Sequence, residues 1–200
     1  MLPPLPDVST PPIEPAPQQP AAPNSRLSLF AREVVDTLLL TAIIFLLVNT
    51  ATARFTIRSV SMLPNLHEGQ YVIVDKVSYL LHSPERGDIV VLAIANQEDD
   101  LIKRIIGLPG ETLSMENGVV LIDRQPIDEP YTLPPPGGSF AAQTLGPDDY
   151  FVMGDNRSNS KDSRNFGPVR RESIVGRAWI IYWPPSDWGI VPHQAYAEGN

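Results

Sequence analysis

The sequence predicts a mainly β protein, an antiparallel β-sheet domain preceded by one N-terminal transmembrane helix. Three observations carry this. A run without formal charge extends from Thr37 to Ala53. From Phe55 onward, short segments rich in Val, Ile and aromatic residues recur, each bounded by turn residues. No segment of convincing helical length follows the apolar run.

Residues 1–24 contain nine of the 22 prolines and no aromatic residue. A segment of this kind buries too little apolar surface to offset its ordering entropy, so a disordered or polyproline-type tail is expected over 1–25. A role as a Pro-rich ligand is the alternative, supported by proline content alone.

At 1.5 Å per residue, Thr37–Ala53 spans about 26 Å, slightly short of a ~30 Å hydrocarbon core. Extension toward Leu27 closes the gap, because Arg32 and Asp36 lie four apart and can pair on one helix face. A transmembrane helix over 27–53 is therefore expected. A cleaved signal peptide fits worse, since the run starts far from Met1 and follows a proline tail rather than a short basic segment. A buried core helix is the other alternative, and uniform apolarity counts against it. Arg26 and Arg32 precede the run while Arg54 and Arg58 follow it, so the positive-inside count does not orient the helix.

A β domain is expected over 55–192, with a C-terminal tail at 193–200. Its strands read as Tyr71–Asp75, Asp88–Ile94, Asp149–Met153 and Ser173–Trp183. Asn117-Gly118 splits Leu113–Asp123 into a hairpin. Pro134–Gly138 reads as an exposed loop.

Composition narrows the function. A formal charge of -8 argues against general nucleic-acid binding, which needs a basic surface for the phosphates. The absence of cysteine excludes disulfides, a cysteine nucleophile and thiolate metal sites. His67, His82 and His193 are scattered without metal-ligand spacing, so neither metal nor cofactor is expected.

Chemistry concentrates in three segments. Ser61 stands in Arg58-Ser59-Val60-Ser61-Met62-Leu63-Pro64, and Lys103 follows 42 residues later among Leu101, Ile102, Ile105 and Ile106. A serine needs a base to attack a carbonyl, and a lysine serves if its surroundings keep the amine neutral. Lowering a lysine from ~10.4 to about 7–8 costs the ammonium form on the order of 4 kcal/mol, which apolar burial can supply. The third segment, Gly154–Arg164, packs two aspartates, two arginines and three serines with Asn156 and Asn159 into eleven positions. That composition suits a solvated loop and a charge-paired scaffold equally well.

In this order, behind a membrane anchor, Ser-Met-x-Pro, Lys-Arg-Ile-Ile-Gly-Leu-Pro-Gly and Gly-Asp-Asn-Arg-x-x-Ser-x-Asp-Ser-Arg closely resemble the bacterial type I signal peptidases. The resemblance extends to about Trp183 and includes Ile174-Val-Gly-Arg-Ala178. It implies a membrane-bound serine endopeptidase that removes signal peptides from secretory precursors after small residues. Ser61 is then the nucleophile and Lys103 the general base. Ser59 joins the Ser61 N–H in the oxyanion hole, and Ser160 orients the lysine. Arg104, Asp155, Asp162 and Arg164 form structural ion pairs. Phe55, Ile57, Met62, Leu66, Val72 and Ile102 line shallow substrate pockets. The implied partners are secretory precursors and membrane lipid, without nucleic acid. The implied location is a single-pass membrane protein whose catalytic domain is non-cytoplasmic, in a plasma or thylakoid-type membrane.

Arg58 replaces a proline common in the family, and Leu101 replaces a frequent aromatic; both departures bear on fine specificity. Two rivals remain. Self-cleaving repressors use the same dyad, but the anchor, the acidic charge and the lack of a DNA-binding module count against them. A non-catalytic anchored β module predicts that Lys103 has no role in processing.

Overall fold

The computed structural model describes residues 25–94, 99–133 and 138–196, with side chains from Ser28 onward. Apart from Ser25, the proline-rich tail expected over 1–25 lies outside the described residues, as does most of the expected Pro134–Gly138 loop. The chain forms two compact units, Met1–Ile44 and Phe45–Asn200.

Helix α1 runs from Ser25 to Ala51. Its Ser28–Ala51 portion is long and apolar enough to cross a membrane. Leu38, Leu39, Leu40, Phe45, Leu46 and Leu47 are all exposed, so the apolar surface wraps the whole circumference rather than one stripe. Within it the Thr37 and Thr41 hydroxyls donate to the carbonyls of Glu33 and Thr37, at 2.7 and 2.8 Å, which satisfies them without water. Arg32 and Asp36 pair at 3.8 Å on the exposed face. The helix stops two residues before the expected Ala53 because Thr52 already pairs with Asp75 in the first strand.

The second unit is built from antiparallel pairs throughout. Its main sheet orders β1 (Thr52–Thr56), β2 (Tyr71–Asp75), β11 (Ile174–Trp183), β3 (Ile89–Leu92), β4 (Leu101–Gly107), β9 (Asp149–Met153) and β10 (Val169–Arg170), with β12 (Gly189–Ile190) on β11. A smaller sheet orders β7 (Gln125–Pro126), β6 (Val119–Ile122), β5 (Thr112–Glu116) and β8 (Phe140–Thr144). The β5–β6 turn uses Asn117 at φ 50° and Gly118 at φ 86°, the positive values a two-residue hairpin demands. Two helices of four residues each, α2 (Ser78–Leu81) and α3 (Ser163–Phe166), complete the unit.

Strand β4 is central, paired with β3 on one side and β9 on the other. From Ile102 to Gly107 every residue of it is buried, so apolar residues do not alternate with polar ones and Lys103 and Arg104 are both drawn into the interior. One apolar cluster gathers Ile57, Met62, Leu66, Val72 and Ile102 with β3 and β11 residues; a second joins Ile106, Phe151 and Met153 to the smaller sheet.

The segment expected to be a tail from His193 is instead packed down as far as Tyr196; residues 197–200 lie outside the described residues. Val191 N–H donates to Trp179 O at 2.9 Å, and Gln194 N–H to Gly87 O at 3.2 Å. Ile89 N–H donates to His193 Nδ1 at 3.0 Å, and His193 Nε2 lies 2.8 Å from Ala178 O. Burial, reinforced by the Arg177 charge, lowers the His193 pKa to about 4, so the ring is neutral and can accept from Ile89. The Tyr196 hydroxyl donates to Asp128 O at 2.8 Å. The backbone donors and the aromatic at the far end give this strap its grip.

Candidate active site

Lys103 sits mid-strand in β4, only 2 % exposed. Its Nζ lies 2.8 Å from Ser61 Oγ and donates to the Ile102 carbonyl at 2.8 Å. Burial lowers its pKa to about 8, against the upward pull of the Asp162 and Asp155 carboxylates. No carboxylate reaches it at ion-pair distance among the described residues. The amine therefore sheds its proton far more readily than a solvated lysine.

Ser61 enters the site on a turn after β1. Leu66 N–H donates to Met62 O at 2.9 Å and Asn65 N–H to the same carbonyl at 3.0 Å, coiling the chain immediately after the serine. Met62 and Leu66 anchor this coil in the core. Ser61 is itself buried, and its Oγ stands 3.1 Å from Ser59 Oγ. The backbone on either side of it is held from the segment after β9: Asn156 N–H donates to Ser61 O at 3.0 Å, and Asn156 Nδ2 to Val60 O at 3.1 Å.

Gly154–Arg164 is a charge-paired scaffold rather than a solvated loop. Arg104 and Asp155, both fully buried, form a bidentate pair at 2.8 and 2.7 Å. Arg104 Nη1 also donates to Gly87 O and Pro192 O at 2.8 and 3.2 Å, and its guanidinium stacks 4.0 Å from the Tyr131 ring centre. Asp162 binds Arg164 at 2.8 Å, accepts Gly154 N–H at 3.0 Å and caps α3. Burial raises the Asp162 carboxyl, yet the Arg164 guanidinium and the Gly154 N–H bring it below the usual aspartate value. Arg157 pairs with Glu129, a partner the sequence did not suggest.

Ser160 differs from expectation. It makes no hydrogen bond to Lys103, whose amine is taken by Ser61 and Ile102. Its Oγ is buried and makes no hydrogen bond of standard geometry among the described residues, but it stands close enough to Asp162 to help hold that carboxylate charged. The pocket residues divide. Phe55 and Ile102 line an open cleft of about 470 Å³ together with Arg54, Arg58, Ser59, Asp99, Asp100 and Leu101. Ile57, Met62, Leu66 and Val72 are closed within the core, and they touch a substrate only if the cleft floor yields. Sequence reading also missed Asn65, whose Nδ2 donates to Asp155 Oδ2 at 2.7 Å and to Tyr131 O at 2.8 Å. Its place four residues after Ser61 was the available signal.

A buried amine against a buried serine hydroxyl, with no histidine in reach, is an arrangement that histidine-free serine hydrolysis can use. Comparison with known proteins gives the same class. The family model described as signal peptidase, peptidase S26, matches residues 31–183. The chain is 40 % identical over 202 residues to a signal peptidase I of Leptolyngbya laminosa, covering 96 % of this chain and 97 % of that one. It is 40 % identical over 170 residues to a probable signal peptidase I-1 of Synechocystis, covering 80 % and 86 %. It is 36 % identical over 146 residues to a signal peptidase I of Bacillus caldolyticus, covering 66 % and 80 %. The chain belongs to the S26 signal peptidase family, as a serine endopeptidase of the type I class.

Proposed function

We propose that this protein removes N-terminal signal peptides from exported precursors, cutting after small residues of the Ala-x-Ala type through an acyl-enzyme. The 2.8 Å contact between the Lys103 amine and the Ser61 hydroxyl carries the reading. The neutral amine takes the Ser61 proton as Oγ bonds to the scissile carbonyl carbon. The carbonyl electrons move onto oxygen, where the Ser59 hydroxyl and the Ser61 N–H meet them; each preorganised donor is worth ~3–4 kcal/mol. The C–N bond then breaks, and the Lys103 ammonium protonates the departing amine. In the second half Lys103 deprotonates a water that attacks the ester, and Ser61 recovers its proton.

Ser160 completes the lysine's surroundings. An ammonium has three donors, and Ser61 and Ile102 account for two of its partners. The Ser160 oxygen is the acceptor for the third, engaged once Lys103 is charged, while its hydroxyl hydrogen is free to turn toward Asp162. The Arg104–Asp155 and Asp162–Arg164 pairs keep the flanking segments in place. No metal or cofactor enters the scheme. Anchored by α1, the catalytic unit faces the non-cytoplasmic side of a plasma or thylakoid-type membrane, where precursors emerge.

The test is incubation of the full-length protein in detergent with a secretory precursor, followed by N-terminal sequencing of the product. A new N-terminus directly after an Ala-x-Ala-type triplet is expected. Intact precursor, or equal rates with Ala and Phe before the cut, would contradict the proposal.

A further inference from the structure

Ser61 and Lys103 approach from segments 42 residues apart, and something must hold those segments in register. Neither side chain can do so alone, because the lysine stem is flexible and the serine rides on a turn. One chain of side chains, buried at Asp155 and Arg104 and half-buried at Asn65, joins them. Asn65, on the Ser61 turn, donates to Asp155 Oδ2 at 2.7 Å; Asp155 in turn receives both Nε and Nη2 of Arg104, the residue after Lys103.

We propose that Asn65 is a positioning residue that fixes Ser61 against Lys103 through the Asp155–Arg104 pair. The inference rests on reading Ser61 and Lys103 as nucleophile and base.

The chemistry of the tie is specific. Both partners of the Asn65 amide, the Asp155 carboxylate and the Tyr131 carbonyl, are acceptors, so the nitrogen end must face them and both of its hydrogens are used. Asp155 is wholly buried, so a donor lost here is not replaced by bulk water. An aspartate would bring a second carboxylate against Asp155. An alanine would leave the turn held only by Asn156 and by the apolar anchors Met62 and Leu66. Those two restraints preserve the fold, and although Met62 and Leu66 reach Ile102 on β4 by apolar packing, neither restraint gives the turn a side-chain hydrogen bond into the Asp155–Arg104 pair. Asn65 also lies outside the cleft lining, so its loss should spare substrate binding.

The experiment measures kcat and KM of the full-length protein in detergent on a precursor peptide with an Ala-x-Ala site. Wild type, Asn65→Ala, Asn65→Ser and Lys103→Met are compared, below the melting midpoint of each by far-UV circular dichroism. Misplacement of reacting groups by about 1 Å costs roughly 10²-fold, so Asn65→Ala is expected to lower kcat by roughly 10- to 100-fold with KM within about threefold. Asn65→Ser retains one donor and should recover part of the loss. The proposal is overturned by a folded Asn65→Ala with kcat within about threefold of wild type, by a loss confined to KM, or by Asn65→Ser no better than alanine. Failure of wild type to cut, or full turnover by Lys103→Met, would strike the dyad reading instead.

Discussion

Lys103 and Arg104 are consecutive on β4, both buried, and they stand in opposite electrostatic circumstances. Arg104 is locked into a carboxylate on two nitrogens, whereas Lys103 has only a hydroxyl and a carbonyl at its amine. Turnover should therefore rise with pH through an apparent pKa of about 8, the value at which Lys103 loses its proton. Below it the amine cannot accept from Ser61. The same displacement affects stability. Between about 8 and 10.5 the unfolded chain binds a proton that the folded one does not, so the penalty is complete below about 8 and gone above about 10.5. At ~1.4 kcal/mol per pKa unit it is on the order of 3 kcal/mol. Lys103→Met should be inactive yet melt higher than wild type at pH 7, with the gap closing toward pH 10. A variant less stable than wild type across that range would contradict the burial account.

Gly154→Ala tests the closeness of the scaffold to the nucleophile. An added Cβ would lie 2.3 Å from Ser160 Oγ and 2.5 Å from the Ser61 carbonyl oxygen. The second is backbone and cannot rotate away. Overpacking of this kind costs ~1–3 kcal/mol, and here the displaced atom belongs to the serine that must reach Lys103. A fall in both melting temperature and kcat is expected; wild-type activity in the alanine variant would refute the contact.

Ser160→Ala removes a buried hydroxyl whose neighbouring acceptor is the Asp162 carboxylate, at less than ideal geometry. Stability should change by less than about 1 kcal/mol, because Asp162 keeps Arg164 and the Gly154 N–H. If Ser160 accepts from the charged amine, kcat/KM should drop by roughly 10²-fold, less than in Lys103→Met. An unchanged kcat/KM would make Ser160 a packing residue only.

Arg58 and Asp99 join the two cleft walls by an exposed ion pair at 3.2 Å. Exposed pairs contribute ~0–1 kcal/mol, so Arg58→Ala should shift the melting temperature little. A peptide entering the cleft has to open the pair. KM for the variant should therefore be lower at low ionic strength, by less than about fivefold, and equal to wild type near 1 M salt, where screening is short-ranged. An identical KM at both salt concentrations would show that the pair does not obstruct entry.

Much of this was legible from residue order. Tyr71–Asp75 and Asp149–Met153 are the strands their composition predicts, and Asn117-Gly118 makes the predicted turn. Each is a local signal, decided by β-branched content or by a residue that tolerates positive φ. What could not be read depended on contacts between distant segments. Glu129 as the partner of Arg157 and His193 beneath Ile89 carry no local signature, and the place of Asn65 four residues after Ser61 marks the residue but not its partner Asp155. Apolar Ile57 and Val72 look alike whether they line a cleft or fill a core, and only packing places them inside. The helix end was misread because threonine and alanine suit both the apolar run and the strand that takes over at Thr52.

The strap from Val191 to Tyr196 carries a consequence for the newborn chain. A ribosome that has released β11 has already delivered Ser61, Lys103 and both ion pairs. At that moment Arg104 still waits for the Pro192 carbonyl, Ile89 for the His193 ring, and the Gly87 carbonyl for Gln194. The ground under the base is thus finished only by residues that follow β11, so competence as a peptidase waits for the strap and not for the catalytic residues alone.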